Sequence, residues 1–245
     1  MTDSVEFPPT TFAALAAPAV DRAFVSGIRA PGPKGRDVVM AHGGAAAGFL
    51  IDLRNPLAAG RRLSRDELAA LNRYRDPAAF HEGLAASVAH GLLTEAPDGT
   101  VAATVPGHAF LRDLFALHRE ALTAQWGGQE ARIDRLNGAL ARTLAAAAQT
   151  GGIAWRAQAP PYETDQTPPA VRLLNRLSTL RWHRADAHAA AWQAAGLTAD
   201  EMVALPPGPA RDQIEQETNA RNAAPFAALS AAERVTMLAD LAALP

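Results

Sequence analysis

The chain contains no cysteine, which excludes disulfides, thiolate metal centres and cysteine nucleophiles together. Lysine is almost as scarce. Lys34 is the only one, so arginine carries the positive charge, and the heavy use of alanine reflects GC-rich coding before it reflects chemistry. A net charge of −2 and a pI near 6.4 give no global attraction to polyanions. No stretch approaches the roughly 20 uninterrupted apolar residues that span a bilayer, and MTDSVEFPPTTF has no basic segment ahead of an apolar run. The expectation is a soluble cytoplasmic protein with no membrane contact. A glycine-rich turn after a strand is also missing, and with it a dinucleotide-binding domain. His42-Gly43-Gly44 lacks a GxSxG partner motif and reads as a helix break, not as the oxyanion loop of a hydrolase.

What is present is a run of structural signals between Arg62 and Trp126. Ser64 opens LSRDELAALNRY with Glu67 three residues on, the pair that forms a reciprocal capping box at a helix start. Asp76 and Pro77 open a second helix with Phe80, Leu84 and Val88 at helical spacing, ending near Gly91. Two short extended runs flank Pro97-Asp98-Gly99, which predicts a hairpin. A longer helix is expected from Gly107 to Trp126, with Phe110, Leu114, Leu117, Ala121 and Leu122 on its apolar stripe and Gly127-Gly128 as its stop.

In this order the segment resembles the MarR-like winged helix-turn-helix family. There a DELAA helix (here Asp66 to Ala70), a second helix ending in a GLL-type strand (Gly91 to Leu93), a wing turn (Asp98-Gly99) and a TxxG step (Thr104 to Gly107) lead into a long helix. The same pattern resembles the amino-terminal winged-helix domain of small-molecule O-methyltransferases, which use it to dimerise and to roof a substrate pocket. The resemblance covers about a quarter of the chain and speaks to architecture more than to function. It implies a mainly α fold with a small β-wing, a winged helix-turn-helix plus a helical bundle.

The rest of the chain reads as helices. Ala13 to Ala30 is expected to pack on the winged unit through Phe12, Leu15 and Phe24. VVMAHGGAAAGFLIDL, after a Pro/Gly turn at 30–37, reads as one apolar helix-like run. Glu130 to Gln149 carries Ile133, Leu136, Leu140 and Leu144 and, beside the preceding helix, implies a hairpin or a dimer seam. Thr150 to Pro169 holds two glycines, four prolines, Trp155, Arg156 and Tyr162, and reads as a long loop, either lid or linker. Helices follow at 170–195, 198–205, 209–221 and 230–244, the last opened by a Ser230–Glu233 capping box. The boundaries read from this pattern are 1–126 for the winged unit with its N-terminal helices, 127–169 for a connecting helix and loop, and 170–245 for a helical C-terminal domain.

The densest chemistry lies in LLNRLSTLRWHRADAHAAAWQAAG, residues 173–196. At about 100° per residue, Thr179, His183 and Asp186 share one face while Arg181, Arg184, His188 and Trp192 line another. His183 and His188 point about 140° apart, so they cannot chelate one ion from this helix alone. With His42, His81, His90, His108 and His118 also lacking i, i+4 spacing, no metal is assigned, and no other cofactor. One reading is a buried helix whose leucines form core while its charges pair with groups such as Asp200, Glu215 or Glu217. The other is a ligand pocket made by Arg181, Trp182, His183, Arg184, His188 and Trp192, suited to an anionic or carbonyl-bearing small molecule. His183 with Asp186 could set one imidazole tautomer for acid–base work. The helix also resembles one found in actinobacterial winged helix-turn-helix proteins. In Asp212 to Arg221, Glu215, Thr218 and Asn219 could face either solvent or the pocket, the polar run favouring a solvated face, and Asn222 reads as the helix terminator.

Candidate DNA contacts are Arg62, Arg65, Arg73, Arg75 and His81. From Arg61 to Trp126, seven arginines stand against eight acids, a weak balance for a phosphate-binding face. The family resemblance implies a MarR-type transcriptional regulator, a DNA-binding homodimer that responds to a small-molecule ligand. The alternative is a winged-helix protein that has left DNA and acts as a small-molecule binder or an enzyme of specialised metabolism. A third reading, a structural or interaction module, applies if no pocket exists.

Overall fold

Residues 7–245 are described by a computed structural model, in which helices dominate around one two-stranded antiparallel sheet. The acidic opening, residues 1–6, lies outside the described residues. α1 (Pro9–Arg29) starts on proline, where the missing N–H would have had no helical partner. Its buried stripe runs Phe12, Ala16, Val20, Ala23 and Gly27. Gly27 permits close approach, since a Cβ there would lie 2.9 Å from Leu174 and 3.1 Å from Trp126. With a mean hydropathy of 1.2, α1 is the one helix among the described residues long and apolar enough to cross a membrane by composition, and its buried face is taken up by packing within the protein.

The apolar run after it is not one helix. Gly43 and Gly44 adopt positive φ values of 112° and 62°, a backbone that glycine reaches without steric cost. They split the run into α2 (Pro33–Ala41) and α3 (Ala45–Phe49), followed by α4 (Arg54–Ala58). α5 (Arg65–Leu71) begins on the Ser64–Glu67 capping box, both of whose hydrogen bonds form. α6 (Pro77–Ala89) begins on Asp76, whose carboxylate accepts the N–H of Ala79 at 2.8 Å. β1 (Leu93–Glu95) and β2 (Val101–Ala103) pair with Leu93 opposite Ala103 and Glu95 opposite Val101, and Leu63 adds a single bridge to Val101. The hairpin leads directly into α7 (Val105–Gln125), capped by the Thr104 hydroxyl.

α8 (Glu130–Ala147) is followed by a short α9 (Ile153–Gln158), so the stretch expected to be structureless contains a helix. α10 (Pro169–Ala194) is the longest element, about 39 Å at 1.5 Å per residue. α11 (Ala199–Ala204), α12 (Pro209–Asn222), a 3-10 turn (Ala224–Ala228) and α13 (Ala231–Ala242) complete the chain.

Two large cores form. One gathers α1, the end of α7, α8, the first half of α10, the 3-10 turn and α13, with Phe12 packed edge-on against Phe226 at 4.9 Å. The other gathers α3 to α6, the hairpin, the start of α7 and Ala154 and Ala157 of α9, with Trp182 against it. A small third cluster joins Trp192 to Met202 and Ile214. The cores cut across the boundaries expected at 126 and 169. α1 packs with the C-terminal helices, not on the α5–α6 unit, and Leu15, expected in the core, is 47% exposed. The reason is the length of α10, which reaches past the bundle and gives both cores a common wall.

Candidate functional site

A cavity of about 590 Å³ opens between α1, α10 and α12, with Tyr74 from the α5–α6 turn and Phe226 closing its ends. α10 supplies Arg181, Trp182, Arg184 and His188 to its wall, because spacings of three and four residues return to one side of a helix. α12 adds Glu215, Asn219 and Asn222, again at spacings of four and three.

The charges in the wall are matched one to one. Arg181 binds Asp21 of α1, its Nε donating at 2.9 Å, and its guanidinium lies 4.2 Å above the Phe24 ring. Arg184 donates to Glu215 at 2.7 Å. Arg184 Nε and Asn219 Oδ1 are buried with no partner. His188 completes a chain of hydrogen bonds. The Trp192 indole N–H donates to the Tyr74 hydroxyl at 2.9 Å, and that hydroxyl is hydrogen-bonded to His188 Nδ1 at 2.7 Å. An indole nitrogen can only donate, so the Tyr74 oxygen is the acceptor in the first bond, while His188 Nε2 faces Glu215 at 3.6 Å without a hydrogen-bond partner. Burial holds the His188 pKa below the usual imidazole range against the pull of Glu215. Burial likewise raises the pKa of the Tyr74 hydroxyl.

Of the six residues expected to bind a ligand, four line this cavity and two do not. Trp192 lies behind Tyr74 in the small third cluster. His183 is buried behind the wall, where its Nδ1–H donates to the lining residue Asn222 at 2.8 Å and its Nε2 accepts the Thr150 hydroxyl at 2.9 Å. Desolvation lowers its pKa, with the Asn222 bond opposing. Asp186 does not orient His183. Its carboxylate pairs with Arg73 and accepts the backbone N–H of Trp155 at 2.8 Å, anchoring the start of α9.

Of the five expected DNA contacts, Arg65, Arg73, Arg75 and His81 line one groove and Arg62 does not. Arg73 is held by Asp186 and by the Ala70 carbonyl, and Arg75 pairs with Asp52 at 2.8 Å. Arg65 lies under the hairpin turn, where a Cβ on Gly99 would meet its Nε at 2.8 Å. Arg62 and His81 are exposed. A groove of about 460 Å³ runs between α5, α6 and the hairpin and is lined by Arg65, Arg73, Arg75 and His81, with Glu95 among them.

The residues missed by the sequence reading are Tyr74, Asp21 and Asn222, whereas Glu215 and Asn219, which the spacing left open to solvent or pocket, do line the cavity. Tyr74 is one of only two tyrosines, and that rarity was its one signal. Asn222, read as a helix terminator, does end α12 but also holds His183. α12 is not solvated all round, since Ile214, Thr218 and Asn222 are buried. Chemically the cavity offers a neutral imidazole beside a carboxylate but no serine, threonine or lysine in its wall to act as nucleophile. Among the described residues, no group of three or more His, Asp or Glu side chains is placed to share a metal ion.

Comparison of the chain with protein-family models, with curated proteins and with solved structures returned no match.

Proposed function

We propose that this protein binds an uncharged, planar small molecule between α1, α10 and α12, on a winged helix-turn-helix scaffold. The observation that carries this reading is the cavity, whose volume of about 590 Å³ suits a small molecule and whose wall sets Trp182, Tyr74 and Phe226 beside arginines that are already paired with acids. The order α5, α6, β1–β2 hairpin, α7 supports the scaffold, with α6 in the recognition-helix place and the hairpin as wing. Because Arg181 and Arg184 are each neutralised by an acid in the wall, a carboxylate ligand would have to break an existing pair. A flat carbonyl compound stacked on Trp182 meets no such cost, and this narrows the anionic-or-carbonyl expectation to the carbonyl half.

The test is a fluorescence titration with 2-quinolone, a neutral bicyclic lactam, and quinoline-2-carboxylate, its charged counterpart, using Trp182→Phe to isolate the reporting residue. Quenching by the lactam that is lost in Trp182→Phe supports the reading. Preference for the carboxylate, or no response to either, sinks it.

The second reading is a MarR-type regulator, a cytoplasmic homodimer that binds DNA and is released or engaged by the ligand. It is favoured by Tyr74, which belongs at once to the α5–α6 turn and to the cavity wall. With Arg73 and Arg75 engaged in ion pairs, Arg62, Arg65 and His81 are left for the DNA. A salt titration against pooled genomic fragments discriminates. Sequence-specific retention at about 150 mM salt that Arg62→Gln/Arg65→Gln abolishes supports regulation, and no retention at low or physiological salt eliminates it.

A further inference from the structure

We infer a second binding site, for an organic phosphate, in the groove between the first half of α7 and the 160–168 loop. This groove holds about 450 Å³ and is separate from the cavity above. On one side α7 presents His108, Arg112, Phe115 and Arg119, whose spacings of four, three and four residues keep them on one stripe of a helix. Tyr162, Thr164 and Thr167 face them from the loop.

The charges of α7 are sorted between its two sides. Its acids point towards α2 and its approach, where Asp113 meets His42 at 2.8 Å and Glu120 meets Lys34 at 2.7 Å. Its arginines point into the groove. Of the two acids in the loop, Glu163 is drawn to α10, accepting from Arg176 at 2.7 and 2.9 Å with Arg172 at 3.3 Å, and Asp165 does not line the groove. No carboxylate lines the groove, and among the described residues neither Arg112 nor Arg119 forms an ion pair. The contrast with the first cavity is direct, since there each arginine has its own acid.

A second, independent feature is Asn175 in the wall. It is fully buried, its Nδ2 donates to the Tyr162 carbonyl at 2.7 Å, and its Oδ1 has no partner. An acceptor in that position calls for a donor on the occupant. Beside it the rings of Phe115 and Tyr162, 5.1 Å apart, form an apolar face.

These features select a phosphoryl group over a carboxylate. One guanidinium fork satisfies the two oxygens of a carboxylate, whereas a phosphate monoester brings up to two negative charges and three acceptor oxygens. Arg112 and Arg119 start about 10 Å apart along the helix axis, a separation two long side chains can close on one such group, with the Thr164 and Thr167 hydroxyls as further donors. The organic part then lies on Phe115 and Tyr162 and offers a hydroxyl or N–H to Asn175.

The experiment uses the full chain at low salt, with phenyl phosphate, inorganic phosphate, benzoate and phenol as probes and calorimetry as readout. Phenyl phosphate is expected to bind saturably and more tightly than the other three. The double variant Arg112→Gln/Arg119→Gln, both exposed positions, should weaken it about tenfold or more, a change of about 1.4 kcal/mol per decade, with no change in thermal unfolding. Arg184→Gln, in the other cavity, should leave it unchanged. Binding equal in the double variant and the parent overturns the site, as does no binding at about 10 mM, weaker than the millimolar regime. Benzoate binding as tightly overturns the choice of phosphate, and inorganic phosphate binding as tightly overturns the organic body.

Discussion

The hydroxyl of Tyr74 is hydrogen-bonded to Nδ1 of His188 across 2.7 Å, so a residue of the α5–α6 turn is fastened to the helix that walls the cavity. Arg73, one residue earlier, makes the parallel attachment to Asp186. Any ligand that shifts His188 therefore acts on the turn as well, through two adjacent anchors.

Tyr74→Phe removes the middle of that chain and leaves His188 Nδ1 and the Trp192 indole N–H without their partner. Tyr74 is 42% exposed, so water can replace its hydroxyl in part, and urea unfolding should show a loss of about 0.5–1.5 kcal/mol, the net worth of an ordinary hydrogen bond. A double-mutant cycle with His188→Gln should return a coupling of about 0.5 kcal/mol or more. Additive losses would mean that the bond contributes nothing.

Acidification should destabilise the fold before the carboxylates titrate. Burial is the leading cause holding His118, His183 and His188 below the ordinary imidazole pKa. Unfolded, they protonate near 6.5, while folded they do so lower, so between those values the unfolded chain binds more protons. Their stabilisation is therefore complete above about pH 6.5 and is lost as pH falls towards the depressed values. The melting temperature should be flat from about pH 7 to 8 and decline below about 6.5, with a shallower decline in His183→Gln. A melting temperature that rises on acidification would refute this account.

Gly107 and Gly138 should respond to alanine in opposite directions. A Cβ on Gly107 would stand 2.2 Å from the Leu92 carbonyl oxygen, a backbone atom that cannot swing aside, whereas Gly138 in α8 faces open space. Gly107→Ala should cost about 2 kcal/mol or more by forcing α7 off the hairpin, and Gly138→Ala should stabilise by about 0.5–1 kcal/mol through helix propensity. Chemical denaturation of the two variants side by side provides the check.

Local chemistry was readable from the chain alone wherever the interacting groups are close in sequence. Ser64 with Glu67, Asp76 with Pro77, the turn at Asp98-Gly99 and the capping box at Ser230 each form within a few residues, so composition and spacing suffice to place helix starts and the hairpin. Periodicity likewise put Arg181, Arg184 and His188 on one side of α10, and these three meet in the cavity with Trp182. What failed were inferences about partners. Asp186 lies one helical turn from His183 but bonds Arg73, 113 residues away. His183 instead finds Asn222, 39 residues on, and Arg181 finds Asp21, 160 residues back.

The sequence by itself determined that the protein is mainly helical with one small hairpin, that it holds no thiol chemistry, and that one long helix carries its densest polar cluster. Only the tertiary structure decided which charges were spent on one another and which were left over: Arg73, Arg181 and Arg184 engaged by distant acids, Arg112 and Arg119 facing a groove without one. The physical reason is range. Helix caps and turns are set by contacts between near neighbours in the chain. The state of a side-chain charge depends on whatever the packing of remote elements brings within a few ångströms.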